Sequence, residues 1–241
     1  MSTTYLLIHG AWHGGWCWRK IVPLLEAGGH RVLAPDLPGH GDDKTATAMV
    51  TLESYADRIC EIACAQAEPV ILVGHSMGGI AITQAAENCH ERIGALVYLS
   101  AFLPRNGESL ATWASQDRES MVNPSTIDSL ADGTIGFKPE YIRETFYGNC
   151  AEEDVAFAQS RLGAQSGAPF GTPVQTSAER WGRIPRYYIE CERDRAITLK
   201  IQREMQRRSP CRQTFSIDTD HSPFFSAPDQ LADVLLRIAS A

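Results

Sequence analysis

The stretch Val70–Gly79, with the sequence VILVGHSMGG, constrains the fold more than any other part of this chain. Its first four residues are apolar and three of them are β-branched, which predicts a buried strand. The GHSMG that follows matches G-x-S-x-G, and the run from Gly79 to Glu87 predicts a helix. Gly74 and Gly78 lack a Cβ, so strand and helix can approach closely around a strained Ser76. We therefore predict a sharp turn that exposes the Ser76 hydroxyl as a nucleophile, with a purely structural tight turn as the alternative.

The size and charge of the chain limit what it can bind. At 241 residues with 44% hydrophobic residues, it can form one globular domain with a sizeable core. The net charge is −7 and no run of Lys or Arg occurs, so phosphate backbones would be repelled. We therefore expect no nucleic-acid partner.

The cysteines and the first residues bear on the compartment. Seven cysteines are scattered through the chain: Cys17, Cys60, Cys64, Cys89, Cys150, Cys191 and Cys211. Their number is odd and no C-x-x-C pair occurs, so we expect free, mostly buried thiols rather than disulfides, in the cytoplasm. No Cys/His cluster has zinc-ligand spacing, and we expect no metal. A signal peptide and a membrane-length apolar stretch are also missing from the sequence, which predicts no membrane partner.

Strands alternate with helices along both ends of the chain, which predicts an α/β fold of about six mostly parallel strands with helices on both faces. The alternation stops between residues 103 and 182, where short helical pieces, such as Pro139–Tyr147, lie between Pro and Gly breaks. We predict a single domain over residues 1–241. Its core covers about 1–102 and 183–241, and a largely helical lid covers 103–182.

A serine nucleophile needs a histidine base and an acid that orients the histidine. In a strand–Ser–helix architecture the chain order is Ser, acid, His, and such groups follow strand ends. His221 follows the last predicted strand, whereas His90 lies at the end of a helix and His75 points away from the turn. For the acid we prefer Asp194, just past a strand, over its nearest rival, Glu192.

An oxyanion hole requires two backbone N–H donors. One is expected from Met77, which follows the nucleophile, and the other from Ala11 in the loop after the first strand. His9 and His13 in that loop are interpreted as hydrogen-bonding residues that shape it. Three apolar side chains are candidate substrate-binding walls: Trp12, Leu103 and Trp113.

The segments HGAWHGGWCW (residues 9–18) and PLLEAGGHRV (residues 23–32) resemble the opening of the plant methylesterase and hydroxynitrile lyase family of α/β-hydrolases, which includes the salicylate-binding methyl esterase. The resemblance runs nearly end to end. It implies Asp194 as the acid, His221 as the base, and Ala11 and Met77 as the oxyanion-hole donors.

Two departures from the family pattern separate its two chemistries. The lyases of this family have a threonine where this chain has Gly10, and a lysine where it has Ser222. Without that ammonium group no side chain stabilises a departing cyanide, which favours an esterase. The loop at residues 36–41 is more similar to bacterial members, some of which hydrolyse xenobiotic esters or carbamates.

We therefore predict a cofactor-free serine carboxylesterase that acts on small, fairly apolar esters. Xenobiotic esters and carbamates are candidate substrates. The alternatives are a carbamate or amide hydrolase, a lyase that cleaves C–C bonds, and a ligand-binding protein on a hydrolase scaffold. The expected partner is a small-molecule ester, and the sequence leaves a homodimer open.

Overall fold

The computed structural model describes residues 2–130 and 132–240. Its strands are β1 (Thr4–Ile8), β2 (Arg31–Leu33), β3 (Val70–His75), β4 (Ile93–Leu99), β5 (Ile127–Ser129), β6 (Thr134–Phe137), β7 (Gln165–Ser166), β8 (Arg186–Cys191) and β9 (Gln213–Ile217). Six of them form a parallel sheet in the order β2–β1–β3–β4–β8–β9. The predicted six-stranded parallel sheet is therefore confirmed.

In the part of the chain that the structure describes, ten α-helices connect or follow the strands. They are α1 (Ile21–Ala27), α2 (Leu52–Cys64), α3 (Gly78–Asn88), α4 (Leu110–Ala114), α5 (Pro139–Phe146), α6 (Glu152–Gln159), α7 (Ala168–Gly171), α8 (Leu199–Arg208), α9 (Pro223–Ser226) and α10 (Pro228–Ala239). The step from β1 to β2 runs opposite to all later steps across the sheet. Because parallel crossovers are right-handed, α1 lies on one face and α2, α3 and α8 lie on the other. Helix α10 packs against α1, which covers the first face.

The apolar patterns explain which elements are central. Every residue of β3 is buried between β1 and β4, as expected for a continuous apolar run in a parallel sheet. Helix α2 begins at a capping box, in which Thr51 and Ser54 exchange side-chain-to-backbone hydrogen bonds of 3.1 Å. Its buried stripe has helical spacing: Leu52, Tyr55, Ala56, Ile59 and Ala63. None of the helices in the described residues is both long and apolar enough to cross a bilayer.

The chain between β4 and β8 contains more than helices. Helices α5 and α6 form where short helical pieces were predicted, but β5, β6 and β7 form a small antiparallel sheet that was not predicted. Its strands are two to four residues long, too short to show an alternating pattern. The boundaries of the predicted lid, 103–182, stay a prediction.

The cysteine prediction needs one correction. Cys60 in α2 and Cys89, which ends α3, form a disulfide with a Cα–Cα distance of 5.8 Å. Free thiols are found at Cys17, Cys64, Cys150, Cys191 and Cys211, and three of these, Cys17, Cys150 and Cys191, are buried. The expectation of seven free thiols is therefore wrong for one pair. The pairing depends on how two helices pack across a separation of 29 residues, which parity and spacing do not reveal.

Candidate active site

The sheet order brings the predicted catalytic segments to one edge. Strands β3, β4, β8 and β9 are consecutive neighbours, and all run parallel. Ser76 follows β3, Asp194 follows β8 and His221 follows β9, each within a few residues of the strand end. The carboxyl ends of parallel strands meet at one edge, which is where α/β folds bind ligands.

The backbone around Ser76 forms the predicted strained turn. Ser76 has φ = +54°, a left-handed conformation that is unfavourable for a residue with a Cβ. A Cβ added to Gly74 would lie 2.7 Å from the carbonyl oxygen of Gly78, so β3 and α3 could not approach this closely with a larger residue. The carbonyl oxygen of Ser76 accepts hydrogen bonds from the amides of Gly79 (3.0 Å) and Phe102 (3.2 Å). These contacts hold the turn from two sides.

Asp194 and His221 are in direct contact. The Nδ1 of His221 lies 2.7 Å from Oδ2 of Asp194, and both side chains are buried. A carboxylate only accepts, so Nδ1 carries the proton and Nε2 is left as a proton acceptor. The other carboxylate oxygen, Oδ1, accepts hydrogen bonds from the amides of Ala196 (2.7 Å) and Ile197 (2.9 Å). The pair is thus fixed in one orientation.

The rival acids are engaged elsewhere. Glu192 is exposed. Asp218 is also exposed and pairs with Arg193. Asp220 is buried, but its oxygens accept hydrogen bonds from the Asn149 amide (2.7 Å) and the Ser226 hydroxyl (2.7 Å). Of the four acids, Asp194 is the one hydrogen-bonded to His221.

His75 contacts the backbone of His221. Its Nε2 donates a 2.8 Å hydrogen bond to the carbonyl oxygen of His221, and the two rings lie 4.5 Å apart. Burial lowers the pKa of His75 well below its ordinary value, and repulsion from His221 and His13, whenever those rings are protonated, lowers it further. His75 is therefore a neutral residue that positions the loop of His221, in line with the structural interpretation from the sequence.

The loop after β1 is held by a second group of neutral histidines. Nδ1 of His13 donates to the carbonyl oxygen of Ala11 (2.7 Å), and Nε2 accepts from the Tyr147 hydroxyl (2.6 Å). Nδ1 of His9 donates to the carbonyl oxygen of Gly10 (2.8 Å), and Nε2 accepts from the Leu37 amide (3.1 Å). Burial lowers the pKa of both histidines, that of His13 to about 3. Both fix the peptide planes of the loop.

A largely apolar cavity of about 460 Å³, its open mouth included, contains Ser76. Its lining comprises Ala11, Trp12, Ser76, Met77, Phe102, Leu110, Ala114, Asp117, Ser120, Val122, Phe146, Phe170, Ala196 and Ile197. The two residues predicted to supply oxyanion donors, Ala11 and Met77, therefore line the same cavity as Ser76. The segment between β4 and β8 contributes most of the remaining wall.

Two of the three predicted pocket walls do not line this cavity. Trp12 does line it, whereas Leu103 and Trp113 are fully buried in the core. The Trp113 Nε1–H donates to Oε2 of Glu108 (3.0 Å). Leu110 and Ala114, four residues apart on α4, line the cavity, whereas Trp113 on the same helix does not. Phe102 faces the cavity in place of its neighbour Leu103.

Trp12 also connects the loop to the segment between β4 and β8. It has φ = +63°, its Nε1–H donates to the carbonyl oxygen of Ile135 in β6 (2.9 Å), and its carbonyl oxygen accepts from the Gly163 amide (2.9 Å). Its ring packs against three aromatic rings, those of Phe137, Phe146 and Phe170. The position of the loop is therefore coupled to that of the cavity wall.

Within residues 2–130 and 132–240, no three His, Cys, Asp or Glu side chains are grouped so that they could hold a metal ion.

Comparison with known proteins points in one direction. The model of the Alpha/beta hydrolase family matches residues 5–234. The pyrethroid hydrolase of Sphingobium wenxiniae is 34% identical over 248 residues, which cover 99% of this chain and 88% of the relative. Methylesterase 1 of Arabidopsis thaliana is 33% identical over 250 residues, covering 98% and 95%.

Solved structures give the same result. A crystal structure of a pyrethroid hydrolase from Sphingobium faniae superposes with a TM-score of 0.88 and 32% identity, covering 100% of this chain and 98% of that one. Tomato methylketone synthase I in complex with 2-tridecanone has a TM-score of 0.91 and 27% identity, covering 100% and 98%. The whole length of this chain is therefore shared with these relatives.

Proposed function

The chain belongs to the alpha/beta hydrolase family, and we propose that within it the protein is a serine carboxylesterase for small, fairly apolar esters. The observation that carries this proposal is the buried His221–Asp194 pair (2.7 Å) at the same sheet edge as the strained Ser76 turn. Relatives named methylesterase and pyrethroid hydrolase support ester hydrolysis, as the sequence resemblance implied.

In the proposed mechanism, the Ser76 hydroxyl attacks the ester carbonyl while Nε2 of His221 accepts its proton. Asp194 holds the imidazole in the Nδ1–H tautomer and stabilises the imidazolium that forms. The backbone amides of Ala11 and Met77, two residues that line the cavity with Ser76, would bind the oxyanion. The tetrahedral intermediate then collapses: the ester C–O bond breaks, the His221 imidazolium protonates the departing oxygen, and the alcohol leaves the acyl-enzyme, which water activated by His221 hydrolyses.

Two positions support hydrolysis over cyanide elimination. A Cβ at Gly10 would lie 2.8 Å from the Cβ of Ser76, so the threonine of the lyases would not fit unless the turn shifted. Ser222 is completely buried and carries no positive charge. The stabilising ammonium of the lyases has no counterpart at this position.

The cavity favours an uncharged substrate. Among the described residues that line it, Asp117 is the one with an acidic or basic side chain, and its carboxylate accepts hydrogen bonds from the amide and hydroxyl of Thr198, both at 2.8 Å. The remaining wall is mostly aromatic and aliphatic, so burying a charged acyl group there would be costly. Apolar esters fit this lining, and apolar carbamates are a second candidate class because they present the same carbonyl.

Labelling with a fluorophosphonate tests the nucleophile. We expect the wild-type protein to be labelled and the Ser76→Ala variant not to be labelled. The two proteins should have the same unfolding midpoint. A panel of apolar esters, carbamates and amides then assigns the substrate class, with esters expected to be hydrolysed fastest. Equal labelling of the two proteins would refute the proposed mechanism.

The alternative functions predict different results in the same panel. A ligand-binding protein on this scaffold would bind an ester tightly and saturably yet release product slowly. A lyase would release an aldehyde or ketone from a cyanohydrin, which a product assay separates from an acid and an alcohol.

The proposal includes a cytoplasmic location and leaves a homodimer open. Five free cysteines support a reducing compartment, whereas the Cys60–Cys89 disulfide favours an oxidising one. Trapping of free thiols in intact cells distinguishes the two, because a cytoplasmic protein would have Cys60 and Cys89 alkylated. Sedimentation at several concentrations measures the oligomeric state.

A further inference from the structure

The turn that follows β4 lies between the nucleophile and the acid. Strand β4 is flanked by β3, which leads to Ser76, and by β8, which leads to Asp194. On one side, the Ser76 amide donates to the carbonyl oxygen of Leu99 (3.3 Å). On the other side, the Ser100 amide donates to the carbonyl oxygen of Ile189 in β8 (2.8 Å). The turn at Ser100 therefore bridges the two strand ends.

Ser100 contacts the acid directly. Its side chain is completely buried, and its hydroxyl donates a hydrogen bond to Oδ2 of Asp194. The same oxygen accepts the Nδ1–H of His221. The Gln202 Nε2 also lies 3.4 Å from this oxygen, at the long limit for a hydrogen bond, so Ser100 and His221 make the two closer contacts.

The backbone of Ser100 is strained in order to make this contact. It has φ = +40°, and non-glycine residues in this region persist only where the surroundings impose the conformation. The surroundings here include Tyr188, whose hydroxyl accepts from the Ala101 amide (3.1 Å) and donates to the Ala101 carbonyl oxygen (2.7 Å). Such strain is typical of functional sites.

We propose that Ser100 is a positioning residue that orients the carboxylate of Asp194 toward His221. The proposal rests on the serine esterase function above and extends it to a residue outside the substrate cavity. With Oδ1 held by the amides of Ala196 and Ile197, the Ser100 hydroxyl fixes the other oxygen. The imidazole is then held in one orientation, with its Nε2 available to Ser76.

Three variants separate positioning from stability. Ser100→Gly removes the hydroxyl and relieves the positive φ, so we expect an unfolding midpoint at or above that of wild type and a kcat roughly tenfold lower. Ser100→Thr keeps the hydroxyl but adds a β-branch, so we expect a lower midpoint and a kcat near that of wild type. Ser100→Ala removes the hydroxyl and keeps the strained backbone, so both the unfolding midpoint and kcat should fall. KM should change little, because Ser100 does not line the cavity.

A second readout does not depend on turnover. In proton NMR of the resting protein, the His221 Nδ1–H should give a low-field resonance that shifts in Ser100→Gly and returns toward its wild-type position in Ser100→Thr. If kcat follows the unfolding midpoint across the three variants, or if the resonance is the same in all of them, the proposal is wrong. If instead Ser76→Ala retains activity, the esterase function fails, while the resonance still tests the Ser100–Asp194 contact.

Discussion

Lowering the pH should destabilise this protein strongly through its buried histidines. His9, His13, His40 and His75 are buried, and burial is the main cause that lowers the pKa of each one. The folded-state pKa is about 3 for His13 and about 4 for His40, compared with an ordinary value of 6.5. The unfolded chain therefore binds protons at a higher pH than the folded chain does.

The sign and size follow from proton linkage. Because the folded pKa is depressed, this stability is fully present above pH 6.5 and is lost as the pH falls toward 4 and 3. At about pH 5 the unfolded His13 and His40 are protonated and the folded ones are not, which costs about 2 kcal/mol each. The pair thus removes about 4 kcal/mol between about pH 8 and pH 5, and His9 and His75 act in the same direction.

Urea unfolding at a series of pH values measures this loss. His40→Gln should unfold with a smaller pH dependence than wild type, by about 2 kcal/mol over the same range, even if it is less stable at high pH. His90→Gln is the matched control, because His90 is partly exposed just after α3 and lies outside the group of buried histidines. A free energy of unfolding that is the same at about pH 8 and pH 5 would refute the reasoning.

Three substitutions test other parts of the account. Asp194→Asn should lower kcat by about ten-thousandfold because it stabilises the wrong histidine tautomer, whereas the exposed Glu192→Gln should keep wild-type kinetics. Gly10→Ala places a Cβ 2.8 Å from that of Ser76, so kcat/KM should fall at least roughly tenfold in an ester assay. Replacing Cys60 and Cys89 by Ala removes a disulfide that joins residues 29 positions apart, so the unfolded chain gains conformational entropy. The free energy of unfolding should therefore fall by about 3.5 kcal/mol in urea titrations.

The Gly10 substitution and the cysteine replacement each have a control and an outcome that contradicts the prediction. Gly163→Ala adds a Cβ with no heavy atom within 4 Å and should leave kcat/KM unchanged, so equal losses at both glycines would contradict the steric argument. Cys64→Ala removes an exposed free thiol and should leave stability unchanged. An insensitivity of wild-type stability to a reductant would argue against a stabilising disulfide.

The main sheet could be predicted, and the segments proposed as catalytic could be located, because their signals are local. The continuous apolar run of β3 and the GHSMG turn both lie within ten residues. Chain order and strand ends then favoured His221 as the base and Asp194, over Glu192, as the acid. In the folded chain these two side chains are hydrogen-bonded to each other.

The cavity walls could not be predicted with the same success, because they depend on side-chain direction. Leu103 and Trp113 were chosen as large apolar residues near the site, but they point into the core. Phe102 and Leu110, which do line the cavity, are near neighbours of Leu103 and Trp113 in the sequence. An irregular segment with short helices has no long periodicity from which the inward face could be read.

Contacts between segments that are distant in the sequence could not be predicted either. The Cys60–Cys89 disulfide depends on the packing of α2 against α3. The Ser100–Asp194 hydrogen bond joins residues 94 positions apart and depends on the strand order β3–β4–β8. A serine that ends an apolar strand carries no signal of its own, although it lies next to the nucleophile strand in the sheet.

The acyl-enzyme is the species that tests the central claim most directly. Wild-type protein mixed with an activated apolar ester and quenched rapidly in acid should gain the mass of one acyl group. Peptide mapping should place that group on Ser76, and His221→Ala should form it far more slowly. An acyl group found on another residue, or ester hydrolysis that proceeds at the wild-type rate in Ser76→Ala, would contradict the account.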